Sequence, residues 1–479
     1  MIEFSNDDIL QIEQHGLTPD AVAAQLDAFA RGFAFSDIVA PATAGDGVIQ
    51  LDAEMRRHYI DIYEQYRRTH SVVKFVPASG AATRMFRDLF EFLNTGARNT
   101  VTDAVLNNLS RFAFYADLKK FLPDTPTDTD IIERIVTDAG LNYGHMPKAL
   151  IKFHRYADGA RTALAEHLDE GAEYARGADG VNIHFTVSPE HRAGFEELLH
   201  RLVPEYSARY GVQYNIELSY QKSSTDTIAV NPDNTPFRDA DGRLLFRPAG
   251  HGALIENLNE IDADLIFIKN IDNVCAASHR GDTIEYKSAL AGYLVMLQSK
   301  IFGYLNNTTA PLGDVIQFIN DNLGVRLSRD ATRADCNRIL SRPLRVCGVV
   351  RNTGAPGGGP FWVRAADGTV SLQIVESAQI APDARDIMNT SQYFNPVDLV
   401  CATRDASGRH IDLIQFVDEN TGFISEKSAG GRPLRAMERP GLWNGAMAGW
   451  NTVFIEVPPT TFTPVKVVAD LLSAPHINV

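Results

Sequence analysis

The segment FRPAGHGALIENLNEIDADLIFIKNIDN, residues 246–273, carries the strongest fold signal in the chain. Its second half, ADLIFIKNIDN (263–273), sets the apolar run Leu265, Ile266, Phe267 and Ile268 before Asn270, Asp272 and Asn273. A short apolar run bounded by turn residues reads as a buried strand. A strand that ends in aspartate presents a carboxylate at the carboxyl edge of a sheet, where open α/β folds bind ligands. A hard oxygen there suits Mg²⁺, which takes one or two carboxylates and fills its shell with phosphates and water. A strand-ending Asp-Asn turn is the competing reading of Asp272. The first half places Gly250 and Gly252 around His251. Glycines let a flat group lie against the main chain, and a lone histidine between them reads first as structural.

Outward from this segment, the run VVKFV (72–76) is β-prone and leads through PASGAATRM (77–85) into helix-forming residues to 94. Strand, small loop and helix open a doubly wound sheet. The pair 182–187 and 190–202 repeats the pattern. In the loop, Ser79, Gly80 and Thr83 leave the backbone open to a phosphate, and amide groups at a helix start can bind one. Arg84 can add a bidentate contact. A tight turn made for packing explains the same residues. The run IELSYQ (216–221) ends in Gln221, whose amide offers a donor and an acceptor. Residues 5–70 are predicted mainly helical, with Ser5 and Asp8 forming a capping box and Thr18-Pro19 opening a second helix. The stretch 100–145 reads as a helical insertion. Strands are expected at 344–350, 361–364, 370–375, 397–402 and 453–457, and GAPGGGP (354–360) reads as a flexible connection rather than a phosphate nest. The expected organisation is an N-terminal helical cap (1–70), an α/β core (71–335) and a strand-rich C-terminal part (336–479).

These blocks, in this order, resemble the nucleotide-sugar pyrophosphorylases, above all those for UDP-glucose and UDP-N-acetylglucosamine. PASGAATRM resembles their loop L-x-G-G-x-G-T-R-[LM], with Ser79 and Ala82 standing where the family usually has glycine. MPKALIKFHRY (146–156) resembles the Pro-Lys element whose lysine reaches a phosphate, which implies that role for Lys148; by composition alone it is a solvated lysine opening a helix. Gln221, Gly250 and Gly252 match the base-pocket pattern, and Asp272 matches an aspartate that holds the metal. FTPVKVVADLL (462–472) resembles F-x-P-V-K-x-x-x-D-L-L, implying a phosphate contact for Lys466. Weaker echoes, Glu376 in QIVES and Asn389 in MNT, imply sugar contacts. The resemblance spans about residues 72–475. It implies a Rossmann-like mixed sheet of the GT-A-like kind, Mg²⁺ as cofactor, and a nucleoside triphosphate (UTP favoured) and a sugar-1-phosphate as substrates. The expected fold carries no C-terminal β-helix of the kind those enzymes have. The chain is also similar to a bacterial family of like length to which no activity is attached.

Composition sets the remaining bounds. A chain of 479 residues with 44% hydrophobic and 22% charged residues is an ordinary globular one. A net charge of −15 argues against tracking nucleic acid, which needs a cationic surface. Cys275, Cys336, Cys347 and Cys401 lack zinc or disulfide spacing. There is no apolar signal and no membrane-length run, so the expected location is the cytoplasm. Two alternatives stay open. A glycosyltransferase would show a D-x-D motif at a strand end, whereas Asp262 and Asp264 precede the strand. A non-catalytic nucleotide-sugar binder is compatible with the altered glycine loop. A hydrolase has neither G-x-S-x-G nor H-E-x-x-H to support it.

Overall fold

The computed structural model describes residues 4–352, 354 and 358–477, with only the backbone of Arg385 and Asn389. A nine-stranded mixed sheet organises it. In chain order the strands are β1 (Thr43–Ala44), β2 (Gly47–Ile49), β3 (Val72–Pro77), β4 (Val181–Thr186), β5 (Tyr214–Ser219), β6 (Leu265–Lys269), β7 (Leu344–Arg351), β8 (Tyr393–Ala402) and β9 (Asn451–Glu456). In space they lie in the order β1-β2-β9-β7-β8-β6-β3-β4-β5. Strands β6, β3, β4 and β5 are parallel, in a register that pairs Phe267 with Lys74, Lys74 with Ile183, and Ile183 with Ile216. β8 runs antiparallel to both of its neighbours.

This order places the site. From β3 the chain adds β4 and β5 on one side, then crosses back to lay β6 on the other. Adjacent parallel strands whose connections leave in opposite directions open a crevice at their carboxyl ends, and ligands bind there. The loops that follow β3 and β6 are the 78–84 loop and the turn to Asp272.

The strands form for the usual reasons. Every residue of β6 and β8 is buried, as expected of inner strands covered on both faces. Six helices matter below: α1 (Asn6–Gln14), α2 (Pro19–Arg31), α3 (Ala53–Tyr66), α4 (Ala163–Tyr174), α5 (Arg192–Tyr210) and α6 (Gly281–Asn306). Ser5 and Asp8 make the expected capping box, Thr18 caps α2, and Asp52 caps α3. α3 and α6 cover β6 through Tyr63, Leu290 and Leu294 packed near Phe267. α4 and α5 lie against β4 with Leu168, Phe195 and Ile183 in one core.

Residues 5–70 are not helical throughout. Asp37–Pro41 pairs with Gly359–Arg364, and Val48 pairs with Phe454, so partners some 300 to 400 residues away draw this segment into strands. α4 starts only at Ala163, because Gly159–Thr162 first pairs with Lys152–Tyr156. β8 begins at Tyr393, ahead of the expected Val397. Of the expected loop 354–360, residues 355–357 lie outside the described residues. Among the described residues no helix is long and apolar enough to cross a membrane.

Candidate functional site

Three side chains from distant parts of the chain meet at the crevice between β3 and β6. Beyond β6 the chain turns, with Asn273 N donating to Asn270 O at 3.1 Å, and Asp272 sits in that turn. Lys148 Nζ donates to Asp272 Oδ2 at 2.7 Å and to the Val465 carbonyl at 2.7 Å. Lys466 Nζ stands 3.5 Å from the same Asp272 oxygen. Main-chain bonds fix the geometry: Val465 N donates to Asp272 O at 3.0 Å, and Thr463 N to Asn273 Oδ1 at 2.9 Å. The Asp272 side chain is 10% exposed and that of Lys466 61%, so the carboxylate is set in the floor and the lysine at the rim.

The small-residue loop joins the same assembly. Ala82 N donates to Met146 O at 2.9 Å, and Thr83 Oγ1 to Gly144 O at 3.3 Å, which pins the loop to the segment that carries Lys148. Val468 N donates to Met85 O at 3.1 Å, tying it to the Lys466 segment. Ser79 is half-buried, while Gly80, Thr83 and Arg84 are exposed. A methyl group added at Gly80 would meet nothing within 4 Å. Lys148 opens a single 3-10 turn, Lys148–Leu150, before the 152–162 hairpin.

A second set of contacts gathers the remaining residues. Gln221 follows β5, and its Nε2 is buried without a hydrogen-bond partner among the described residues. Asn257 braces that strand end, donating to Tyr220 O at 2.7 Å and Ser219 Oγ at 2.9 Å. It belongs to the short helix Ile255–Asn259, which directly follows the Gly250–Gly252 turn. Packing alone accounts for both glycines. Gly250 has φ +76°, and a Cβ there would lie 2.6 Å from Glu438 Oε2, while one at Gly252 would lie 2.0 Å from Pro440 O.

His251 stacks on Trp443 with ring centroids 4.1 Å apart and accepts from Leu442 N at 3.0 Å through Nδ1. Its ring proton therefore sits on Nε2, 3.9 Å from Glu376 Oε1. Burial pushes the His251 pKa down to about 4, so the ring is neutral near pH 7. Burial also pushes the Glu376 carboxyl up, partly offset by the Trp443 Nε1 hydrogen bond of 3.3 Å. The side chain of Asn389 lies outside the described residues.

The donor set around Asp272 suits a cation held mainly by its own ligands. Among the described residues no group of three or more His, Cys, Asp or Glu could hold a metal ion. Asp272 thus supplies one hard oxygen, and two ammonium groups already face it. A Mg²⁺ that keeps its waters and its polyphosphate needs no more from the protein than that one carboxylate. A cavity of about 970 Å³ lies elsewhere, bordered by Gln25, Phe33, Gln373, Gln379, Glu438 and Asn444. Lys148, Asp272 and Lys466 do not border it.

Sequence reasoning missed Trp443 and Glu438, which brace the 250–252 turn and Glu376 from a segment nearly two hundred residues downstream. No spacing rule links them, and the sole hint is a tryptophan within the turn-forming run PGLWNG (440–445). It also missed the charges buried on α4, because Glu166, His167, Asp169 and Glu170 read as an ordinary solvated helix face.

Among solved structures, the chain is similar to the UDP-N-acetylglucosamine pyrophosphorylase of Trypanosoma brucei in complex with an inhibitor. Identity is 12%, 98% of this chain and 81% of that chain are covered, and the TM-score is 0.51. A variant UDP-glucose pyrophosphorylase from Leishmania major matches at 14% identity, covering 98% of this chain and 79% of that one, with a TM-score of 0.47. At 12% identity the likeness to the first is one of fold. No curated protein matches the chain. The model of one family, described as a domain of unknown function (DUF4301), matches residues 5–477, and the chain belongs to that family.

Proposed function

We propose that this chain is a nucleotidyltransferase on a GT-A-like fold, joining a nucleoside triphosphate, UTP before the others, to a sugar-1-phosphate. A phosphate oxygen of the sugar-1-phosphate attacks the α-phosphorus and forms a new P–O bond. The bond from the α-phosphorus to the bridging oxygen breaks, and pyrophosphate leaves with its electron pair. Such a reaction asks the protein mainly for position and charge. The observation that carries the reading is the meeting of Lys148, Asp272 and Lys466 at the switch point of the sheet.

In this reading the exposed loop at Ser79, Gly80 and Thr83 receives phosphate oxygens on its main chain, with Arg84 beside it. Lys148 and Lys466 neutralise charge as it builds on the transferred and leaving phosphates. Asp272 would hold Mg²⁺, which supplies charge neutralisation between the phosphates. Gln221, with its unpartnered amide, would read the base against the main chain of Gly250 and Gly252. Glu376 and Asn389 would meet the sugar. A second reading, a binder without turnover, draws support from the direct pairing of Lys148 with Asp272, which leaves the carboxylate neutralised. The test is Lys466→Ala. A transferase loses turnover while nucleotide affinity by calorimetry changes little, whereas full turnover in the variant sinks the assignment.

A further inference from the structure

α4 buries more charge than a covering helix needs. Glu166, His167, Asp169 and Glu170 are each at most 1% exposed. Buried charges are costly unless paired, so their partners show what they hold. Glu170 Oε2 receives Lys74 Nζ at 2.6 Å, and Oε1 receives Lys269 Nζ at 2.7 Å. Lys74 lies on β3 and Lys269 ends β6, so one carboxylate ties together the two strands that flank the crevice. Burial would raise the Glu170 carboxyl, but Lys269 and Lys74 together hold it well below the usual range.

His167, one turn earlier on the same face, reaches the site itself. Its Nε2 lies 3.2 Å from the carbonyl oxygen of Ile271, the residue before Asp272. A carbonyl only accepts, so Nε2 carries the proton and donates. Its Nδ1 has no hydrogen-bond partner among the described residues and stands 3.9 Å from Glu170 Oε2. The ring lies perpendicular to that of Phe185 of β4, with centroids 6.4 Å apart.

We propose that His167 is a positioning residue, whose N–H, held on the Ile271 carbonyl from α4, fixes the peptide that aims the Asp272 carboxylate into the crevice. The inference rests on the reading of Asp272 given above. Residues that orient a metal-binding group without touching the metal typically change affinity 10- to 100-fold when removed.

The test compares His167→Leu, of similar bulk without a donor, with His167→Gln, whose amide can reach as Nε2 does. Calorimetry on the full chain reads the affinity for the tightest-binding of the Mn²⁺ complexes of UTP, CTP, ATP and GTP, and for the same nucleotide without metal. His167→Leu should weaken the metal complex about 10- to 100-fold and leave the metal-free nucleotide within about threefold. His167→Gln should stay within about threefold for both. Equal losses in the two variants, or parallel losses with and without metal, make the residue merely structural and overturn the inference. If His167→Leu does not fold, a tenfold loss in folded His167→Gln overturns it, and retention supports it. Asp272→Asn separates the two levels. If it loses the metal complex while His167→Leu does not, this inference alone fails. Unchanged binding in Asp272→Asn, or no binding by the native chain, removes the reading of Asp272 and this inference together.

Discussion

Replacing Gly252 by alanine should destabilise the chain, whereas the same change at Gly80 should not. A Cβ at Gly252 would stand 2.0 Å from the Pro440 carbonyl oxygen and 2.8 Å from its carbon. Non-bonded carbon contacts settle at roughly 3.5–4.0 Å, so the two segments must part by more than an ångström. They cannot part freely, because Arg439 N donates to Ala249 O at 3.0 Å and Leu442 N to His251 Nδ1 at 3.0 Å. Overpacking of this kind costs about 1–3 kcal/mol, and a backbone obstacle belongs at the upper end. Gly80 has open space around its missing side chain. Where the native conformation admits alanine, the substitution gains about 0.4–1 kcal/mol by restricting the unfolded chain. Urea midpoints at unchanged slope read both effects. Nucleoside triphosphate affinity then distinguishes function from packing: Gly80→Ala should weaken it while leaving the fold intact, because the methyl group occupies the space a phosphate would approach. An unchanged midpoint in Gly252→Ala, or a loss of more than about 1 kcal/mol in Gly80→Ala, would refute the steric reasoning.

Other expectations follow from the same contacts. Lys148→Met leaves the Val465 carbonyl without its lysine and Asp272 with the more distant Lys466, and should lower stability by about 1–3 kcal/mol, read as a shift of the urea midpoint. Lys466→Ala, at 61% side-chain exposure, should cost less than about 0.5 kcal/mol of stability in the same measurement. Burial, and then the neighbouring His154, push His476 from 6.5 down to about 3, so the folded chain holds this ring neutral while the unfolded chain would protonate it. The stability it contributes is complete above pH 6.5 and is lost as pH falls towards 3. His476→Phe should therefore show a flatter acid limb in urea midpoints measured from pH 3 to 7, and an acid limb as steep as the native one would rule the contribution out.

The blocks legible in the sequence were those whose chemistry is local. The run Leu265–Ile268 declares a buried strand, which is β6, and Asp272 follows in the turn beyond Lys269. The small-residue loop after Val76 likewise leads from β3 into a helix. What stayed hidden depends on partners far along the chain. Asp37–Pro41 has weak strand character and becomes a strand because Gly359–Arg364 pairs with it. Gly250 and Gly252 suggested a ligand pocket, yet the atoms that exclude a side chain belong to Glu438 and Pro440. Lys148 reads by composition alone as a solvated lysine; the resemblance singles out Lys148 and Lys466, and the fold sets both beside one carboxylate. Buried charges on α4 follow the same rule, since a glutamate reads as exposed unless the lysines of β3 and β6 are known to face it.

Pyrophosphate release reports nucleotidyl transfer at the Asp272 site. The purified chain would be supplied with Mg²⁺, a panel of sugar-1-phosphates and each of UTP, CTP, ATP and GTP. Release is expected with at least one pair, UTP first, and should disappear in Asp272→Asn while the chain remains folded. Silence across the panel, with nucleotide still bound, would contradict that transfer and leave a binding protein in its place.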